Sequence, residues 1–154
     1  MSAEISDELK QIILDRNTVK TIASISNEGV VHVAVKESLF ADDKGNIVYL
    51  EFFEKSQTNK NIVYSIWFDK TVAINVLAKD KRSFIIKGRP YKSLVHGNEY
   101  EKYYRAADEA DPENDLTAVY YIEPTEIYEQ TFALRRFEER ERHPLYAHLD
   151  KLAK

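Results

Sequence analysis

The chain has 154 residues, no cysteine and a formal net charge of -4. That length suits one domain that buries a proper core without staples, and the lack of cysteine excludes disulfides, thiolate nucleophiles, iron–sulfur clusters and the usual zinc sites. The acidic balance opposes broad attraction to phosphate backbones, the start Met1-Ser2-Ala3-Glu4 is acidic where a targeting peptide is basic, and no apolar run reaches membrane-spanning length. A soluble, cytoplasmic protein that binds neither nucleic acid nor membrane, and works on a small molecule, is the expectation.

No internal repeat, low-complexity stretch or Gly/Ser/Pro linker divides the chain. Ser6 can cap a helix whose first turn carries Asp7 and Glu8, whose Leu9, Ile12 and Ile13 share a face, and which should end near Asn17. Val19, Thr21, Ala23 and Ile25 alternate with their neighbours, Asn27-Glu28-Gly29 turns, and Val31, Val33 and Val35 resume the period of two, which reads as a hairpin. Asp42-Asp43-Lys44-Gly45 makes a second turn before a β-rich run from Asn46 to Phe52. Ser56 is placed to cap a short helix through Asn61, Ile62 and Ile66.

Strands follow over Thr71 to Leu77 and Ser83 to Lys87, with Gly88-Arg89-Pro90 bending or bulging the second. Tyr100, Tyr103, Tyr104 and Ala107 suit one helix face, and a last β region, Leu116 to Ile122 and Glu126 to Phe132, is interrupted by Pro124. About six strands at hairpin spacing, with short helices, predict a mainly β, α+β fold built as a small barrel. Trp67 and the tyrosine cluster read as packing first. The tail pairs Glu138 with Arg142 in helical order, and Leu145, Leu149 and Leu152 form a stripe that needs a surface to dock on.

Chemistry-bearing motifs are sparse. His32, His96, His143 and His148 have no partners at metal-ligand spacing, the four glycines stand alone, and neither a nucleophile elbow nor a phosphate loop occurs. No metal site is expected, and no residue is assigned as catalytic acid or base. The informative stretch runs from Gly45 to Ile62, where a strand ends, a loop turns, and a helix begins with hydroxyls and lysines around its free N–H groups. A plain helix cap explains the same residues.

Thr21-Ile22-Ala23-Ser24-Ile25-Ser26 with Gly29, the strand Val31 to Lys36, the turn with Gly45 and Asn46, Ser56-x-Thr58-x-x-Asn61-Ile62, and Glu129-Gln130-Thr131-Phe132 resemble the FMN-binding split-barrel family, the pyridoxamine-phosphate-oxidase-like flavoproteins. The resemblance implies a six-stranded antiparallel split β-barrel with short helices at its ends over residues 1–132, and a charged helical extension over 133–154. It also implies a homodimer with FMN at the subunit interface and an oxidoreductase acting on a small-molecule substrate or electron donor. Carried over, it places the FMN phosphate at Lys36, Ser38, Lys55, Ser56 and Thr58, with Glu51, Phe52 and Phe53 passing the flavin ring. Thr58 stands where the family commonly has lysine. Glu51 and Glu54 bring negative charge, each opposing a unit anion by roughly 2 kcal/mol at about 8 Å and an effective dielectric of about 20. These departures support a second reading, a barrel without flavin that serves as a binding or interaction protein. A haem-binding relative is a third, with the four histidines as its candidates.

Overall fold

The computed structural model describes residues 2–142 and 151–152. Its elements are α1 (Asp7–Leu14), β1 (Val19–Ile25), β2 (Val31–Val35), β3 (Leu39–Ala41), β4 (Ile47–Glu51), α2 (Gln57–Phe68), β5 (Val72–Leu77), β6 (Ser83–Leu94), α3 (Asn98–Ala110), β7 (Ala118–Glu129) and α4 (Phe132–Arg142). His143, Leu145, His148 and Leu149 lie outside the described residues.

Ser6 caps α1 by accepting the Leu9 N–H at 3.1 Å, and Leu9 and Ile13 are buried. The helix stops at Leu14, short of Asn17, because Asp15 takes an extended backbone and its carboxylate accepts the Asn17 N–H at 2.8 Å. An aspartate that bonds its own chain two residues on favours a turn over another helical residue.

The sheet has seven strands where six were expected, in the order β2-β1-β5-β6-β7-β4-β3, and each neighbouring pair is antiparallel. The additional strand is β3, whose three residues pair with Ala41 opposite Ile47 and Leu39 opposite Tyr49. Three residues are too few to carry an alternation signal. Both long strands, β6 and β7, run through their prolines; β6 shows the expected bulge as register shifts at Lys87/Gly88 and Pro90/Lys92, whereas β7 is not interrupted at Pro124 as expected. β5 reaches only to Val72, opposite Gly88, and β4 only to Ile47, opposite Ile122. Pro90 and Pro124 therefore lie where their strands have a neighbour on one side, and the missing N–H is tolerated. Gly88 permits the close crossing, since a Cβ there would meet Ile122 Cγ2 at 2.7 Å and the Glu123 carbonyl oxygen at 2.9 Å.

One core joins Ile22, Leu39, Ile47, Tyr49, Ile74, Ile86, Tyr120 and Ile122 from six strands to Leu9 and Ile13 of α1 and Ile62 of α2. A second cluster packs Tyr100, Tyr103 and Tyr104 of α3 against Val48, Val119 and Tyr121, so the tyrosine cluster is packing. Trp67 is not, being 78% exposed. The edges β2 and β3 do not pair with each other. The buried Lys20 of β1 ties this open side, its Nζ donating to the carbonyls of Ile13 at 3.2 Å, Glu37 at 2.8 Å and Leu39 at 2.9 Å. In α4 no residue is buried, and Phe132 and Phe137 face outward.

Gly88→Ala should lower stability by about 1–3 kcal/mol, the usual penalty for overpacking. Urea unfolding measures it, and an unchanged midpoint would mean that β6 and β7 are further apart at this crossing.

Candidate functional site

The junction from β4 to α2 gathers most of the residues singled out in the sequence. Ser56 has an extended backbone and caps α2, its Oγ accepting the Asn59 N–H at 2.9 Å. Glu51 ends β4 and is only 1% exposed. Its Oε2 accepts the N–H groups of Phe52 at 3.1 Å and Phe53 at 3.3 Å, and its Oε1 accepts the Ser56 hydroxyl. Lys36 Nζ stands 3.9 Å from Oε2 and lies over the Tyr49 ring, 5.8 Å from its centroid.

Two phenols back this cluster. Tyr120 donates to Asn59 Oδ1 at 2.5 Å, and its ring stacks on that of Tyr49 with centroids 6.1 Å apart. Burial first, and the Glu51 charge second, push the Tyr120 phenol up to about 12 and hold Tyr49 well above the ordinary phenol range. The Tyr49 hydroxyl is buried with no hydrogen-bond partner among the described residues.

The fold thus brings Lys36, Glu51, Phe52, Phe53 and Ser56 together. Ser38 stands beside them but donates to the Leu50 carbonyl at 2.7 Å. Lys55 and Phe53 are exposed, whereas Thr58 is fully buried with an unpaired hydroxyl. Of the donors expected at a phosphate, the Ser56 hydroxyl and the Lys36 ammonium face the Glu51 carboxylate, together with the N–H groups of Phe52 and Phe53 in the turn before α2. A further unit anion about 5 Å from Glu51 would meet roughly 3 kcal/mol of repulsion at an effective dielectric of about 20. At this point the buried Glu51 charge opposes a phosphate.

The opposite face of α2 opens onto a cleft of about 650 Å³ against the β1–β2 hairpin, lined by Ser26, His32, Gln57, Lys60, Asn61 and Tyr64, with Val31 and Val63 as apolar wall. Asn61 pins this helix to the sheet, donating to Ser24 Oγ at 3.0 Å and accepting from Gln57 Nε2 at 2.8 Å. Of the cleft residues, Ser26, Val31, His32 and Asn61 were singled out in the sequence for other reasons, and Gln57 and Lys60 lie in the stretch from Gly45 to Ile62. The spacing Gln57, Lys60, Asn61, Tyr64 marks one helical face, but only the fold sets it opposite Ser26. Among the described residues no group of three or more acidic, histidine or cysteine side chains could hold a metal, and no helix is long and apolar enough to cross a membrane.

No family model and no curated protein matches the sequence. Solved structures do. HupZ of Group A Streptococcus superposes with a TM-score of 0.65 at 21% identity, over 83% of this chain and 95% of that one. An FMN-binding protein from Syntrophomonas wolfei subsp. wolfei gives 0.62 at 14% identity, over 78% and 82%. The chain has the split-barrel fold. An F420 reductase, at 0.57 and 16% identity over 75% and 93%, is similar to this split barrel too. The likeness agrees with the resemblance carried by the motifs from Thr21 to Phe132 and extends to the fold.

Thr58→Val keeps the shape and removes a buried, unpaired hydroxyl, so stability should rise by about 1–2 kcal/mol. Denaturant unfolding checks this, and a loss of similar size would reveal a partner for the hydroxyl.

Proposed function

We propose that the chain is a homodimeric split-barrel protein of the oxidoreductase class that holds a flavin-type ligand in the cleft between the β1–β2 hairpin and α2. The observation that carries this reading is the cleft itself. Its volume of about 650 Å³ falls in the range of small-molecule sites, about 300–1,000 Å³, and it combines apolar wall with a few convergent polar groups. Fold analogy supports the ligand class, since the similar structures include one described as FMN-binding and one as an F420 reductase. A bound flavin would supply the hydride or electron chemistry, and the protein would position it.

Dimerisation is supported by the outer face of β2. Val31, Val33 and Val35 are 65%, 61% and 58% exposed in one row, opposite the half-buried Ile25 and Ala23 of β1. Val31 also lines the cleft, so a second copy on this face would extend the cleft wall. A stable isologous contact needs about 1,200 Å² or more in total. The second reading, an interaction protein without flavin, is favoured by one observation, the occupation of the α2 start by Glu51.

Sedimentation of the chain with added riboflavin, recorded in both the protein and the flavin absorption bands, tests the proposal in one run. The expected result is a dimer that carries the flavin colour. Val63→Trp fills the cleft and should weaken flavin binding about tenfold or more, equivalent to about 1.4 kcal/mol, while the dimer persists. A dimer that takes up no flavin would favour the second reading, and a monomer would contradict the assembly.

A further inference from the structure

We propose that Glu51 is a resident anion that closes the turn between β4 and α2 to phosphate and so selects ligands that bring no negative charge to this point. The consequence for ligand choice rests on the proposed function, but the role of Glu51 does not. A phosphate at a helix start recruits backbone N–H groups, a hydroxyl and a lysine or arginine. The Glu51 carboxylate holds a set of the same kind just before the helix: the N–H groups of Phe52 and Phe53 in the turn, the Ser56 hydroxyl, and Lys36 Nζ at 3.9 Å.

Three features distinguish this arrangement from a surface ion pair. Glu51 is 1% exposed, and the Lys36 side chain only 17%, so the pair is screened little by solvent. Two of the partners are backbone groups of the turn itself. The Tyr49 hydroxyl, fully buried and lacking a partner in hydrogen-bond geometry among the described residues, lies near enough for the Glu51 charge to act on it, and so adds a further donor group beside the carboxylate. Without Glu51 the pocket would hold a cation and a ring of donors with no acceptor, which is an anion site.

Thermal unfolding of the full chain, with and without inorganic phosphate or acetate at matched ionic strength, tests this without any flavin. Failure of the flavin reading therefore leaves the result intact. Glu51→Ala should be less stable than the wild type and should recover with saturable phosphate or acetate, its midpoint rising by at least about 4 °C more than that of the wild type. Comparison with the wild type cancels the general stabilisation by excluded salts. Adding Lys36→Met to Glu51→Ala should abolish the recovery. Glu51→Gln, which keeps the pocket filled, should gain nothing from either anion. A wild type that gains as much as Glu51→Ala would overturn the proposal, and so would a Glu51→Ala chain that neither anion restores, including one that fails to refold in their presence.

Discussion

A carboxylate taken out of water costs several kcal/mol unless it is paired and hydrogen-bonded, and Glu51 meets that demand through the turn that follows it. The N–H groups of Phe52 and Phe53 must point back at the strand end, which bends the chain away from the sheet. Ser56 both donates to Glu51 and caps α2 by accepting the Asn59 N–H. Asn59 in turn accepts from Tyr120 of β7. One buried charge thus joins the end of β4, the start of the helix over the cleft, and the lysine that follows β2. The cleft lies on the other face of the helix whose start this charge fixes.

A second buried charge manages the open side of the barrel. Lys20 gives its three donors to carbonyls of α1, of the connection after β2, and of β3. Burial pulls its pKa below the ordinary lysine value, against the opposing pull of Glu37. The open side leaves β2 as an edge whose valines face solvent. An edge strand with exposed apolar residues is a hazard unless something covers it, and the proposed dimer would cover it.

Features set by nearest neighbours in sequence were legible. The hairpin, both serine caps, the tyrosine face of α3 and the strand before Ser56 follow from spacing and turn chemistry alone. β3 and the unbroken β6 and β7 depend on which strand ends where: Pro90 and Pro124 are harmless only because β5 and β4 stop at Val72 and Ile47. Trp67 gave no sign that it would face solvent, since an aromatic residue in a helix is buried more often than not. At the site, Ser56-x-Thr58-x-x-Asn61-Ile62 was visible, but its parts act in packing as well. Ser56 caps the helix, Thr58 and Ile62 are fully buried, and Asn61 binds Ser24. Glu51 was visible as a residue passing the flavin ring and as a charge opposing phosphate. That it takes the phosphate's donors is a property of the turn geometry, and the cleft needs residues some thirty positions apart to meet.

The central claim is that the donors gathered in the turn between β4 and α2 serve Glu51 and not a ligand phosphate. Calorimetric titration of the wild-type protein with FMN and with riboflavin compares two ligands that differ only by that group. The account predicts affinities equal within about twofold, under half a kcal/mol. Binding of FMN about tenfold or more tighter than riboflavin, about 1.4 kcal/mol, would contradict it.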